Sequence, residues 1–208
     1  VVARRVIAHA RAFVTLPPRE RLIYAQQYLK RRTSLAAAGR TVLHSRPRTI
    51  LVVCFGNIMR SPLAAELLRQ RLEAVSPPIE VTSAGVRAKS GRPTDPRMAR
   101  AASALGISLA GHVSQRLTES LVEHADLILA MDHWNEAAIL TEFPTSRGKI
   151  RLLGEFDPSM THDVEIRDPF MGSEQEVEVC AMRVCACVEV LARSIAACRV
   201  PVQGEALS

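Results

Sequence analysis

The sequence predicts a doubly wound α/β domain: a four-stranded parallel sheet with helices on both faces, preceded by a helical extension. Three observations predict it. Short, nearly continuous apolar runs recur at about 49–54, 80–84, 126–131 and 149–153, as expected of strands buried on both faces. Helical apolar spacing follows the first run, at Leu63, Leu67, Leu68 and Leu72, and returns near the end at Val177, Val184, Val188, Leu191 and Ile195. Hydrophobic residues make up 48% of 208, enough for a full core, and no run approaches the ~18 apolar residues of a membrane span.

The elements follow in order. Residues 1–48 hold eleven basic residues and one acid, Glu20, so the extension carries +10 and the rest of the chain −4. The basic balance therefore belongs to the extension. It reads as two helical pieces, about 3–14 and 18–32, separated by Pro17-Pro18 and followed by a Ser-Arg-Pro linker. Val6, Ile7, Ala10, Phe13 and Val14 form one apolar stripe; Leu22, Ile23, Ala25, Tyr28 and Leu29 form another. Packing on the main domain or self-association accounts best for so many apolar residues. Contact with an anionic membrane surface and a targeting role are the other readings. No stacking aromatics accompany the charge, so nucleic acid is not expected as a partner. Residues 49–208 form the main domain. Within it Asp95 precedes Pro96 as a helix cap, and Asp132 ends a strand and caps the next helix. Five cysteines, an odd number, point to a reducing, cytoplasmic compartment.

The first strand ends in the stretch that carries chemistry. Cys54 stands six residues before Arg60, and Ser61-Pro62 opens a helix, serine as cap and proline at the first helical position. A helix N-terminus presents open N–H groups and the positive end of its dipole. The loop 55–59 can wrap further N–H groups around the same point, with Gly56 and Asn57 tolerating left-handed backbone. Phe55, Gly56, Asn57, Ile58, Met59, Arg60 and Ser61 thus form an expected phosphate cradle, with Cys54 as a sulfur nucleophile at its base. The dipole, the amides and Arg60 all favour the thiolate, the form that attacks phosphorus. Arg60 offers a planar fork for two phosphoryl oxygens. A bare Cys-x5-Arg spacing recurs by chance; the strand before it and the helix start after it give it weight. A nucleotide loop would need Gly-x4-Gly-Lys-Ser/Thr, which is absent here.

Cys54-Phe55-Gly56-Asn57-Ile58-Met59-Arg60-Ser61-Pro62 resembles the signature of the low-molecular-weight protein tyrosine phosphatase family, Cys-x-Gly-Asn-x-Cys-Arg-Ser-Pro. The resemblance runs on through Thr82-Ser83-Ala84-Gly85, Gly111 to Leu117, Asp126 to Asp132, Leu153 to Pro158 and Ile166 to Phe170, about residues 49–198. It implies sheet order 2-1-3-4 and a two-step hydrolysis of protein phosphotyrosine without metal or cofactor. Cys54 forms a phosphocysteine; an aspartic acid protonates the leaving oxygen and then activates water. Asp-Pro occurs at Asp95, Asp157 and Asp168, and sequence pattern alone does not choose. The family position chooses Asp168, with Asp132 second. The resemblance further implies a supporting network of Asn57, Ser61, Ser83 and His112, and an apolar substrate wall at Phe170.

Departures refine this. Met59 replaces the second loop cysteine, so Cys54 lacks that partner against over-oxidation, and arsenate reduction is disfavoured. Ile58 favours phosphotyrosine over phosphoarginine, the alternative substrate on this fold. Cys180, Cys187 and Cys198 share the apolar face of the last helix and read as core; Cys185 does not, and no metal site is expected. The loop 86–91 lacks aromatics, as in bacterial members that act on capsule or exopolysaccharide tyrosine kinases, which makes such a kinase the expected partner. Arg87 and Lys89 there can meet acids around a phosphotyrosine. The remaining alternative is a weakly active phosphate-binding docking protein.

Overall fold

A computed structural model describes residues 16–37, 43, 45–159 and 163–198; the expected helix at 3–14 lies outside them. Strands β1 (Thr49–Cys54), β2 (Glu80–Gly85), β3 (Leu127–Ala130) and β4 (Ile150–Leu152) form one sheet in the order β2-β1-β3-β4. Every pairing is parallel. The helices are α1 (Pro18–Ala37), α2 (Arg60–Leu72), α3 (Pro96–Ala104), α4 (Glu119–His124), α5 (His133–Glu142) and α6 (Glu174–Ala197).

The period-two alternation of β1 assigns its side chains to two cores. Ile50, Val52 and Cys54 pack with Leu63, Leu67, Met98, Val184 and Leu191, beneath α2, α3 and α6. Leu51 and Val53 pack with Val122, Ile139 and Leu152, beneath α4 and α5. Register therefore puts Cys54 at the carboxyl end of a central strand, on the α2 side. Ligands of open parallel sheets bind at that end. Cys180 and Cys187 are buried in this core, as expected; Cys198 falls just past the end of α6 and is only half-buried, its Sγ 3.4 Å from the Leu43 carbonyl.

Three expectations need correction. β3 and β4 are shorter than the apolar runs that announced them, because Met131 is followed by the cap of α5 and Leu153 opens a 3-10 turn. α2 begins at Arg60 with Met59 in the cap position, and no side chain caps it. Ser61 is not the cap; its hydroxyl turns to Cys54 instead. In α1 the buried face is Glu20, Tyr24 and Gln27, with Ile23 beside them, whereas Leu22 and Leu29 are 65% and 63% exposed. The partner decides this: α1 lies on α5, where Leu16 and Tyr24 close over Ala137 and Trp134. Rotating the helix to bury Leu22 would pull Tyr24 out of that contact.

Candidate active site

The loop after β1 turns sharply because Asn57 adopts φ +53, a left-handed conformation that asparagine tolerates. The turn brings the Asn57 amide to 3.2 Å from Cys54 Sγ, and the Ser61 hydroxyl donates to the same sulfur at 3.0 Å. Among the described residues, the amides of Gly56, Ile58 and Met59 donate to no protein acceptor. Cys54 thus lies at the base of a loop with open donors, at the N-terminus of a thirteen-residue helix. Such a nest attracts an anion carrying several oxygens.

The loop is braced from behind. The Asn57 side chain donates to Ser61 Oγ (2.9 Å) and Ser83 Oγ (3.0 Å), and accepts from the Gln115 amide (2.9 Å). The His112 ring, through Nε2, lies 2.7 Å from the Asn57 carbonyl. Gln115 Nε2 donates to the Ser83 carbonyl at 2.9 Å. Asn57 is fully buried, so each of these bonds is protected from water. The expected network of Asn57, Ser61, Ser83 and His112 is therefore assembled, and Gln115 joins it. Gly85 is the close approach that permits it. A Cβ there would lie 2.7 Å from the Phe55 carbonyl oxygen and 2.8 Å from the Asn57 nitrogen, both backbone atoms of the loop.

The Arg60 side chain is 1% exposed and held by two carboxylates. Nη1 donates to Asp132 Oδ2 (2.7 Å) and to the Ile166 carbonyl (2.8 Å); Nη2 donates to Asp168 Oδ2 (2.5 Å). Burial works against the charge on Arg60, but Asp132, then Asp168 and Cys54, outweigh it and hold the guanidinium firmly protonated. Its Nε donates to no acceptor among the described residues. Asp168 is about two-fifths exposed and faces a cavity of about 410 Å³ lined by Cys54, Ile58, Met59, Arg87, Phe170 and Met171 among others. Asp95 and Asp157 are structural. Asp95 caps α3 and pairs with Arg97; Asp157 pairs with Arg183.

The model for low molecular weight phosphotyrosine protein phosphatases matches residues 49–200. The chain belongs to that family. Among curated relatives, the probable low molecular weight protein-tyrosine-phosphatase EpsP of Ralstonia nicotianae is 45% identical over 123 residues, 59% of this chain and 79% of the relative. Among solved structures, the Erwinia amylovora tyrosine phosphatase AmsI superposes with a TM-score of 0.66 at 30% identity, covering 75% of this chain and 98% of its own. The YwlE arginine phosphatase of Geobacillus stearothermophilus gives 0.64 at 32% identity, covering 72% and 93%. The family match begins at β1, so α1 lies outside it.

Three features of this phosphatase were not foreseen from sequence. Asp132 does double duty: Oδ1 caps α5 by accepting from the Asn135 amide (2.7 Å), while Oδ2 takes Arg60. Nothing in its local sequence signals the second bond. Beside it, Glu165 accepts from the His133 amide (3.1 Å). Burial pushes the Glu165 carboxyl up to about 7, with His133 opposing and Asp132 adding to the rise. The Phe55 ring lies against Trp134, tilted by 32° with centroids 4.7 Å apart, which ties the loop to α5. The tight fit at Gly85 yields a test. Gly85→Ala leaves the circular dichroism spectrum native but lowers kcat/KM about 10²-fold, since a displacement of about 1 Å in the cradle misplaces the nucleophile. Full activity in that variant would mean that the loop tolerates the shift.

Proposed function

We propose that this phosphatase hydrolyses protein phosphotyrosine through a phosphocysteine on Cys54. The observation that carries the proposal is the convergence on one cradle of Cys54 Sγ, open loop amides, and an Arg60 whose carboxylate partners include the exposed Asp168. A phosphoryl group seated on the amides and Arg60 presents its phosphorus to the sulfur. Sγ attacks, the P–S bond forms, and the phosphorus–oxygen bond to the tyrosine breaks. Asp168 gives its proton to the departing phenolic oxygen. Water then attacks the phosphocysteine while Asp168 takes the water proton. The P–S bond breaks, releasing inorganic phosphate and the thiolate. Arg60 and the amides meet the charge that grows on the equatorial oxygens, which is the task a metal performs elsewhere.

Ile58, 5% exposed, and Phe170, 44% exposed, supply apolar surface to the cavity, which supports an aryl substrate over a guanidinium one. A phosphotyrosine-bearing protein is the partner, and a tyrosine kinase of capsule or exopolysaccharide regulation is the one proposed. Among the described residues, no helix is long and apolar enough to cross a membrane.

The test is turnover of phosphotyrosyl and phosphoarginyl peptides of matched sequence. The tyrosyl peptide is turned over selectively, and Asp168→Asn slows it about 10²-fold or more, the range of general acid catalysis. Preference for the arginyl peptide would move the assignment to a phosphoarginine phosphatase. Turnover of neither would leave a phosphate-binding docking protein.

A further inference from the structure

One wall of the catalytic cavity carries three cations, Arg87, Lys89 and Arg92, on the segment that follows β2. They are not equivalent. Among the described residues, the side chains of Lys89 and Arg92 are exposed and pair with no acid. Arg87 is engaged. Its amide donates to the Phe55 carbonyl (2.9 Å), which fixes its backbone to the cradle. Its guanidinium meets Glu20 through Nη2 (2.5 Å), with Glu142 more distant at 3.8 Å.

Glu20 comes from α1, outside the part of the chain that matches the family. It is held in place by the docking of that helix. Tyr24 and Tyr28, the chain's two tyrosines, stack on each other with ring centroids 6.3 Å apart. Both meet the His133 ring edge-on, at 6.1 and 5.5 Å, at the start of α5. This anchors α1 on α5, and Glu20 in its first turn is 3% exposed beside Arg87. Glu20 Oε1 takes Arg87, and Oε2 is buried with no hydrogen-bond partner among the described residues. A carboxylate buried in that position needs its counter-cation, because without it the charge would be left out of water uncompensated.

We propose that Glu20 is a positioning residue that sets the charge preference of the substrate mouth. By engaging Arg87 it withdraws one of three cations from acidic residues that flank the phosphotyrosine, and leaves Lys89 and Arg92 to meet them. The inference rests on the phosphotyrosine reading above. It makes α1 a specificity element added to the family domain, acting through Arg87 and not through the cradle.

The experiment compares two phosphotyrosyl peptides that differ only in having glutamate or glutamine beside the phosphotyrosine. The readout is the ratio of their kcat/KM values in full-length wild type, Glu20→Gln, Arg87→Gln and the double variant. Glu20→Gln raises the ratio, in favour of the acidic peptide, by roughly two- to fivefold, the worth of one partly exposed ion pair. The change lies in KM, and it disappears at high salt, where screening reaches about 3 Å. Arg87→Gln alone moves the ratio by less than Glu20→Gln does, and in the double variant the gain is gone. A ratio unmoved by Glu20→Gln overturns the inference. So does a gain that survives in the double variant, or an Arg87→Gln loss as large as the Glu20→Gln gain. Failure of the wild type to turn over either peptide would instead overturn the tyrosine reading. Turnover of 4-nitrophenyl phosphate, which carries no flanking residues, checks that each variant is folded.

Discussion

Cys54→Ser abolishes turnover of a phosphotyrosyl peptide, with a loss of about 10⁴-fold or more, the scale seen when a nucleophile is removed. The side chain is 3% exposed at the end of β1, and oxygen for sulfur is nearly isosteric, so the fold survives. What is lost is the sulfur nucleophile. The Asn57 amide, the Ser61 hydroxyl and the open end of α2 stabilise negative charge at one point. A serine hydroxyl ionises far less readily than a thiol and is the poorer nucleophile toward phosphorus. The loop amides and Arg60 are untouched, so inorganic phosphate still binds Cys54→Ser in a calorimeter. A residual rate above a thousandth of the wild type would point to a second nucleophile. Loss of phosphate binding together with turnover would mean that the substitution broke the cradle.

Arg60→Lys is the second large effect, a loss of about 10³-fold in kcat on the same peptide, within the range of a single arginine in phosphoryl transfer. Charge is conserved, so the loss is geometric. Two guanidinium nitrogens reach Asp132, Ile166 and Asp168 along separate directions, and Nε remains for a phosphoryl oxygen. A single ammonium has no such fork. The substitution also loosens a structural tie. Asp132 and Asp168, from separate segments of the chain, lose their common clamp, and the melting temperature falls. The two effects separate by measuring phosphate affinity and thermal stability together. Native turnover with a lowered melting temperature would assign Arg60 to the scaffold alone.

Legibility followed distance along the chain. The strands and the cradle were readable because their signals are local: an apolar run, a cysteine, a glycine and asparagine that permit the turn, and a helix start. Asp132 was half readable. Its cap bond spans three residues and has a sequence signature, whereas its bond to Arg60 spans seventy-two and has none. Ser61 was misassigned as a cap because Ser-Pro favours helix starts; a lone pair of Cys54 at 3.0 Å outbid that role. α1 shows the same limit for packing. Its most apolar residues, Leu22 and Leu29, face out, and a glutamate and a glutamine face in, because the contour of α5 and the charge of Arg87 select the buried face. Gln115 stood inside a recognised motif, yet its two bonds to the network depend on where β2 and the loop meet.

The bond between Arg60 and Asp168 bears on how anions enter the cradle. Asp168 gives one oxygen, Oδ2, to Nη2, while its other oxygen, Oδ1, accepts from the Phe170 amide. A phosphoryl group that takes Nη2 must share that nitrogen with the carboxylate or displace it. Anions in solution therefore meet a tethered competitor for one donor, whose local concentration dilution does not change.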